Sequence, residues 1–349
     1  MPRPAHSPTF KIAPAMNVGL KALGVDPVTL LRRCDLPLTL FSSGYGEVTT
    51  EQFFALWYEL EKISDDPAIA LKLPGVVPLQ QHHPVSIAAQ HARTFRDGLQ
   101  RMARYKSLCC AEEMRLTETK GEGRLEFNWV LGREFAPPLL VDVAFASSLV
   151  MGRRGTDQSI HPLRVELRRS GEHRAIYEAY YGCPVKFKAR HNSIVYRTSD
   201  LDRAFITYNA ELLAMLSPQL DRELARRKAE QTVADRVKWV LMRLLGAQRP
   251  GIMEVARELG MSCRTLQRRI TEESSSFRQL VNEARRELAK QYLLQPSLNL
   301  GETACLLGYE DPNSFFRAFR EWEGTTPGEW RDSRQKRNAK SRSFRGAIE

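Results

Sequence analysis

Two short clusters of polar side chains near the C-terminal end have the chemistry that reads base edges. Arg264, Gln267 and Arg268 form the first, and Asn313, Ser314 and Arg317 the second. An arginine can bond guanine O6 and N7 as a fork, and glutamine or asparagine can do the same to adenine N6 and N7. With Ser262 at the head of the first cluster, these residues are the candidate contacts to double-stranded DNA. Their spacing suits a helix. Residues 264, 267 and 268 share one face of a 3.6-residue period, while Leu266 and Ile270 share another. Behind Arg317, Phe315 and Phe319 supply the matching buried stripe.

The elements that must hold these helices are written twice. Glu254–Gly260 and Glu302–Gly308 both read E-x-A-x-x-L-G, offset by 48 residues. A repeat of this kind means a duplicated supersecondary unit. The small Ala256 and Ala304 let a second helix approach the first closely. Gly260 and Gly308 fall just past the first helix, where a positive φ is easy only without a Cβ. Ser262 and Asp311 then cap the second helix, and Pro312 fits its first turn. The pattern predicts two helix-turn-helix units.

A capped spacer joins them. Ser276 with Gln279 opens a helix whose apolar face includes Leu280, Ala284, Leu288 and Tyr292, and Pro296 with its polar neighbours ends it. A helix of ~17 residues is about 25 Å long. It can set two recognition helices about one DNA turn apart, roughly 34 Å. The charge agrees: residues 233–349 carry 21 Lys+Arg against 15 Asp+Glu, an excess of six out of the chain's +11. Phosphate contacts need such a local surplus.

The rest of the chain offers little catalytic chemistry. The six cysteines show no C-x-x-C pair and read as free thiols of a reducing cytoplasm. The histidines lack metal-ligand spacing, and G-x-S-x-G, the P-loop and a strand-borne G-x-G-x-x-G are missing. No catalytic residue, metal or cofactor is expected, and the chain does not read as an enzyme. The opening Met1-Pro2-Arg3-Pro4 is not a signal peptide, and no run approaches the ~18 apolar residues of a membrane span. A cytoplasmic protein without membrane contact is the expectation.

At 349 residues, two domains are expected. Residues 1–215 read as a mixed α/β domain, 216–232 as a charged connector, 233–334 as all helix, and 335–349 as a basic disordered tail. In the first part, Asp26-Pro27, Thr49 with Gln52, and Asp66-Pro67 mark helix starts. One long helix is expected after Pro84, and a buried one near 138–151. Alternation predicts a hairpin over 113–130, turning at Lys120–Gly123, and strands at 163–167 and 186–190. Arg93, Arg96, Arg101 and Arg104 spread around their helix and read as surface charge.

Residues 233–334 resemble the DNA-binding domain of the AraC/XylS transcription regulators, most specifically over Gly308–Arg331. That stretch follows G-[FY]-x-[DS]-x-S-x-F-x-R-x-F-[KR]-x-x-x-G-x-[ST]-P-x-x-[YW]-R at every position but one, Asn313 standing where the pattern has serine. The resemblance implies that Arg264, Gln267 and Arg268 fall at base-contacting positions of the first recognition helix. It places Pro312, Asn313, Ser314 and Arg317 at those of the second. Proline brings no hydrogen-bonding side chain, so contact there is left to Asn313, Ser314 and Arg317. Residues 1–215 more loosely resemble the arabinose-binding-like N-terminal domain of this family, through Leu20–Pro27 and Tyr181–Ala189. This implies a sensing and dimerising role: an α/β effector domain joined to an all-α reading domain. The implied partners are promoter DNA, RNA polymerase, a small-molecule effector and a second copy of the chain. The alternative is a ligand-independent dimeric regulator whose N-terminal domain only dimerises.

Overall fold

The computed structural model describes residues 9–41, 46–109, 112–129, 136–157, 160–230, 232–245, 250–295 and 298–333. Pro296 and the tail 335–349 lie outside them. The chain divides into two compact units at Lys228/Ala229.

The N-terminal unit opens with strand β1 (Thr9–Ile12), which pairs antiparallel with β2 (Gly46–Thr49). Around this ribbon lie α1 (Ala15–Ala22), α2 (Pro27–Arg33), α3 (Thr50–Ile63) and α4 (Ile69–Val76). Asp26 caps α2, and the Thr49–Gln52 capping box opens α3. The helix expected at Asp66-Pro67 starts two residues later, because Asp66 first holds a turn by accepting from the Ala68 amide. Phe10, Leu20, Leu30, Trp57 and Leu60 make the core of this helical layer.

Next come α5 (Pro84–Gln90) and α6 (Phe95–Tyr105), where one long helix was expected. The break is a capping event. Thr94 takes an extended conformation, bridges Ala204, and accepts from the Asp97 amide to start α6. The hairpin forms as β3 (Glu112–Thr119) and β4 (Glu122–Trp129), and Lys120 and Gly121 both adopt positive φ. That is the type I′ geometry of a two-residue hairpin. Helix α7 (Pro138–Thr156) extends past the expected end to Asp157, which turns left-handed. After it come β5 (Arg164–Glu166), α8 (Arg174–Tyr181), β6 (Val185–Lys186), β7 (Ser193–Arg197), α9 (Thr198–Leu201) and α10 (Ala210–Glu230).

The main sheet runs β3-β4-β7-β5-β6. Register puts Met114, Leu125, Ile194, Tyr196 and Val165 on one face, where Phe95, Phe145 and Leu149 join them in the core. The other face carries ion pairs, Arg124 to Glu166 at 2.8 Å and Arg164 to Glu122 at 2.7 Å. The strand expected at 186–190 is cut short at Lys186 because Lys188 takes a left-handed φ of 55°.

The boundary expected after residue 215 falls inside α10. Leu213, Leu220 and Leu224 of that helix pack with Val85, Ala88, Tyr105 and Leu108, and Asp221 accepts from Arg104 and Tyr105. Residues 216–228 therefore belong to the N-terminal unit rather than to a connector. Arg96, Arg101 and Arg104 are tied to Asp202, Asp97 and Asp221 respectively, so these arginines staple the unit.

The C-terminal unit is helical throughout its described residues. It comprises α11 (Val233–Leu244), α12 (Ile252–Glu258), α13 (Cys263–Glu272), α14 (Phe277–Leu293), α15 (Leu300–Leu306), α16 (Pro312–Glu323) and a final helix, α17, at 327–333. One continuous core runs through all of them, from Val237 and Leu241 to Phe319 and Trp330.

A buried ion pair makes the N-terminal fold testable. Asp142, fully buried, accepts from Arg169 at 2.6 Å and from the Tyr177 hydroxyl at 2.9 Å. Removing one partner of such a pair strands the other. Asp142→Ala should cost about 3 kcal/mol or more in urea unfolding of the full chain; a loss under about 1 kcal/mol would contradict this account.

Candidate nucleic-acid interface

Both recognition helices are set by the same backbone device. Gly260 adopts a φ of 65° and Gly308 one of 74°. After each glycine, the next amide returns to the repeat's alanine: Met261 N to Ala256 O at 2.9 Å, Tyr309 N to Ala304 O at 3.0 Å. The glycine amides themselves bond Arg257 O and Cys305 O. These are Schellman closures. Ala256 and Ala304 are buried, as the close helix crossing requires. The first helix of the second unit has one further device: Asn299 and Glu302 form a capping box on α15.

Helix α13 starts at Ser262, whose hydroxyl accepts from the Thr265 amide at 3.1 Å. Leu266 and Ile270 face the core. Arg264, Gln267, Arg268, Thr271 and Glu272 line one shallow, open surface. Their spacing continues the i, i+3, i+4, i+7 stripe, so Thr271 and Glu272 extend the face that the sequence marked. Arg264 and Gln267 are exposed and their side chains have no partner among the described residues. Arg268 pairs with Glu272 at 2.7 Å, an exposed contact that a phosphate or base could replace at small cost.

Helix α16 starts at Asp311, which accepts from the amides of Asn313 and Ser314 at 3.1 Å each, with Pro312 in the first turn. Those bonds, led by the Asn313 amide, hold the Asp311 carboxyl below the usual carboxylate range. The cap is therefore present at neutral pH and is lost only as pH falls through that lowered value. Asp311 also accepts from the Asn313 side-chain amide and the Ser314 hydroxyl, each at 3.2 Å, and Ser314 in turn accepts from Arg317. Asp311, Ser314 and Arg317 thus form a short chain along the helix. Arg317 and Asn313 are exposed and Ser314 is half-buried. Phe315 and Phe319 are fully buried beneath them.

The two faces are joined through α14, a helix of 17 residues. Leu280, Ala284, Leu288, Ala289 and Tyr292 sink into the core that also receives Leu266 and Ile270 from α13 and Phe315 and Phe319 from α16. Polar ties add direction. Glu273, just after α13, accepts from the Val233 and Ala234 amides at 2.7 Å each. Glu323, at the end of α16, pairs with Arg286 and Lys290 of α14 at 2.6 and 2.8 Å. Arg331 caps the end of α14 through Leu293 O.

The sequence reading missed Arg285. Only 8% exposed, it donates Nε to Leu307 O at 3.0 Å and Nη2 to Gly308 O at 3.3 Å, and it lies 4.5 Å over the Tyr309 ring. It holds the turn of the second unit from the spacer helix. In sequence it stands beside Arg286 with nothing to separate the two.

Comparison with known proteins gives this architecture a context. The family model described as the arabinose-binding domain of AraC transcription regulator, N-terminal, matches residues 24–205. A helix-turn-helix domain model matches residues 255–333. The HTH-type transcriptional regulator VirS of Mycobacterium tuberculosis is 26% identical over 317 residues, covering 89% of this chain and 92% of that protein. The ornithine utilization regulator of Pseudomonas aeruginosa is 24% identical over 319 residues, covering 89% and 92%. The crystal structure of the transcriptional regulator CdpR from Pseudomonas aeruginosa aligns over 91% of this chain and 96% of that one, at 21% identity and a TM-score of 0.43.

Arg285 yields a prediction. Arg285→Ala removes two charged hydrogen bonds, one to the buried Leu307 carbonyl and one to the half-buried Gly308 carbonyl, worth about 1.5–3 kcal/mol each at most. Hydrogen exchange should quicken at Gly308–Ser314 while α12 and α13 stay protected, and Arg285→Lys should not restore the protection. Unchanged exchange around Gly308 would show that the turn holds without Arg285.

Proposed function

The chain belongs to the AraC family of transcription regulators and is a DNA-binding regulator of transcription; from that premise we propose a one-component switch that reads two successive major grooves with α13 and α16. The carrying observation is the single core beneath both recognition helices. Two readers fixed to one body engage together, so each pays little further ordering entropy when the other is bound. Arg264, Gln267 and Arg268 are the proposed base readers of the first groove, and Asn313, Ser314 and Arg317 those of the second. Ser262 orders the first helix as its cap and brings its exposed hydroxyl close to the phosphates.

The N-terminal unit is the proposed effector and dimerisation domain. Its half-enclosed cavity of about 320 Å³ favours sensing over a domain that only dimerises. An effector would act by binding two arrangements of the protein unequally. The remaining proposed partners are a second copy of the chain and, for an activator, RNA polymerase. Among the described residues no helix is long and apolar enough to cross a membrane, which fits the proposed cytoplasmic setting.

Footprinting on genomic promoter fragments should show protection over about two helical turns, roughly 20 base pairs per reading domain. Protection confined to one turn would remove the second groove from the model. Arg317→Ala should weaken specific binding by about 1–3 kcal/mol and relax preference at one position, with non-specific binding much less affected. An unchanged ratio of specific to non-specific affinity would take Arg317 out of the readout.

A further inference from the structure

The cavity of the N-terminal unit has a chemistry of its own. It lies where the helical layer meets the main sheet. Phe53 and Trp57 of α3 form one wall, Met114 and Phe127 of the hairpin another, and Leu140 and Val143 of α7 a third. At about 320 Å³ it sits at the small end of the ~300–1,000 Å³ typical of ligand pockets.

Its polar groups are mostly engaged already. Gln90 donates to Met151 O at 3.2 Å. Ser148 bonds Phe145 O and the Tyr196 hydroxyl. Lys106 pairs with buried Glu112 at 2.7 Å. His82 bonds Val77 O, and burial pushes its imidazole down, so it is uncharged at neutral pH. A sugar brings a hydroxyl on nearly every carbon, and the hydroxyls of Ser86 and Ser147 with the Trp57 N–H could serve only some of them, so the rest would lose water without gaining a partner. The cavity is therefore a poor fit for a pentose, despite the name of the family model that matches this domain.

Two nitrogen donors remain. The indole N–H of Trp57, 4% exposed, is buried without a hydrogen-bond partner. Such an orphan calls for an acceptor. Arg154 is exposed at the rim and donates to Gly75 O at 2.6 Å, which leaves most of its five N–H groups available. Since Lys106 and Glu112 offset one another, Arg154 leaves the site with one positive charge.

We propose that this cavity takes a compact monocarboxylate with an apolar body, aromatic or medium-chain aliphatic, an oxygen of which accepts the Trp57 N–H and whose charge Arg154 balances. The proposal rests on the sensing role assigned to this unit and names the ligand class for it.

The test uses the full-length chain, with calorimetry and tryptophan fluorescence, and four probes: octanoate, 3-phenylpropanoate, L-arabinose and L-ornithine. At least one carboxylate should saturate at one per chain and shift the fluorescence, and the sugar should give no heat. Ala144→Phe fills the space beside α7 and should abolish that binding with thermal unfolding intact. Trp57→Phe keeps the ring but removes the donor, and should weaken binding at least fivefold; it carries the test alone if Ala144→Phe does not fold. Carboxylate binding that survives both substitutions lies elsewhere and overturns the assignment. Saturable arabinose or ornithine binding that Ala144→Phe blocks, with both carboxylates silent, overturns the ligand class yet leaves sensing in place. Silence from all four probes overturns the proposal, while a footprint that a wider metabolite screen alters would keep the sensing role.

Discussion

The reading end of this molecule depends on one buried helix face. Leu280, Ala284, Leu288 and Tyr292 of α14 are almost wholly removed from water, and they meet side chains from both recognition helices in the same core. Close packing makes such a core resist deformation, so the separation of α13 and α16 follows from packing rather than from loop length. Arg285 carries that control to the second turn. A guanidinium suits the task because its planar fork can bond carbonyls with one edge while its face stacks on an aromatic ring, a combination lysine lacks. Two carbonyls and the Tyr309 ring receive this buried positive charge and help make its burial tolerable.

The C-terminal unit was readable because each of its devices is local. A positive φ demands glycine, a cap demands serine, asparagine or aspartate, and an apolar stripe declares the helical period, all within a few residues. The duplication then doubles every signal. The N-terminal unit hides more, as β7 shows. Its Ile194 and Tyr196 face the apolar core, yet Val195 on the other face is buried as well, in register between Arg124 and Arg164. The arginine stems cover it. A central strand shielded on both faces loses the alternation that marks a half-exposed one. In the same way the break between α5 and α6 depends on the pairing of Thr94 with Ala204, a partner 110 positions away that no local window contains.

The candidate readers were legible as positions, but their working state was not. The sequence marks Arg268, Asn313 and Ser314 as available donors. In the folded chain, Arg268 rests against Glu272, and Asn313 and Ser314 against the Asp311 cap. These are exposed contacts, weak enough to exchange for a nucleic acid and sufficient to hold the side chains near one rotamer beforehand. Arg264 and Gln267 have no such tether, and in the proposed reading they would be ordered by the DNA itself. The second helix is the more preorganised, and on the proposed reading the first would carry the larger entropic cost.

A helix with a comparable role organises the N-terminal unit. Leu139 and Leu140 of α7 belong to the helical layer, while Val141, Phe145, Ala146 and Leu149 belong to the core under the sheet. A helix buried on so many sides shows little amphipathic contrast, which is why it reads as an apolar run rather than a stripe. The cavity opens against this helix, with the helical layer on one side and the hairpin on the other. A ligand lodged there would touch both packed clusters at once. An effector shifts an equilibrium only through contacts that differ between two states. A site walled by two clusters meets that requirement more readily than a site inside either one, because a small change in their spacing alters every contact the ligand makes. The same close packing that makes the C-terminal unit rigid thus gives the N-terminal unit, at this gap, a place where filling space would have consequences.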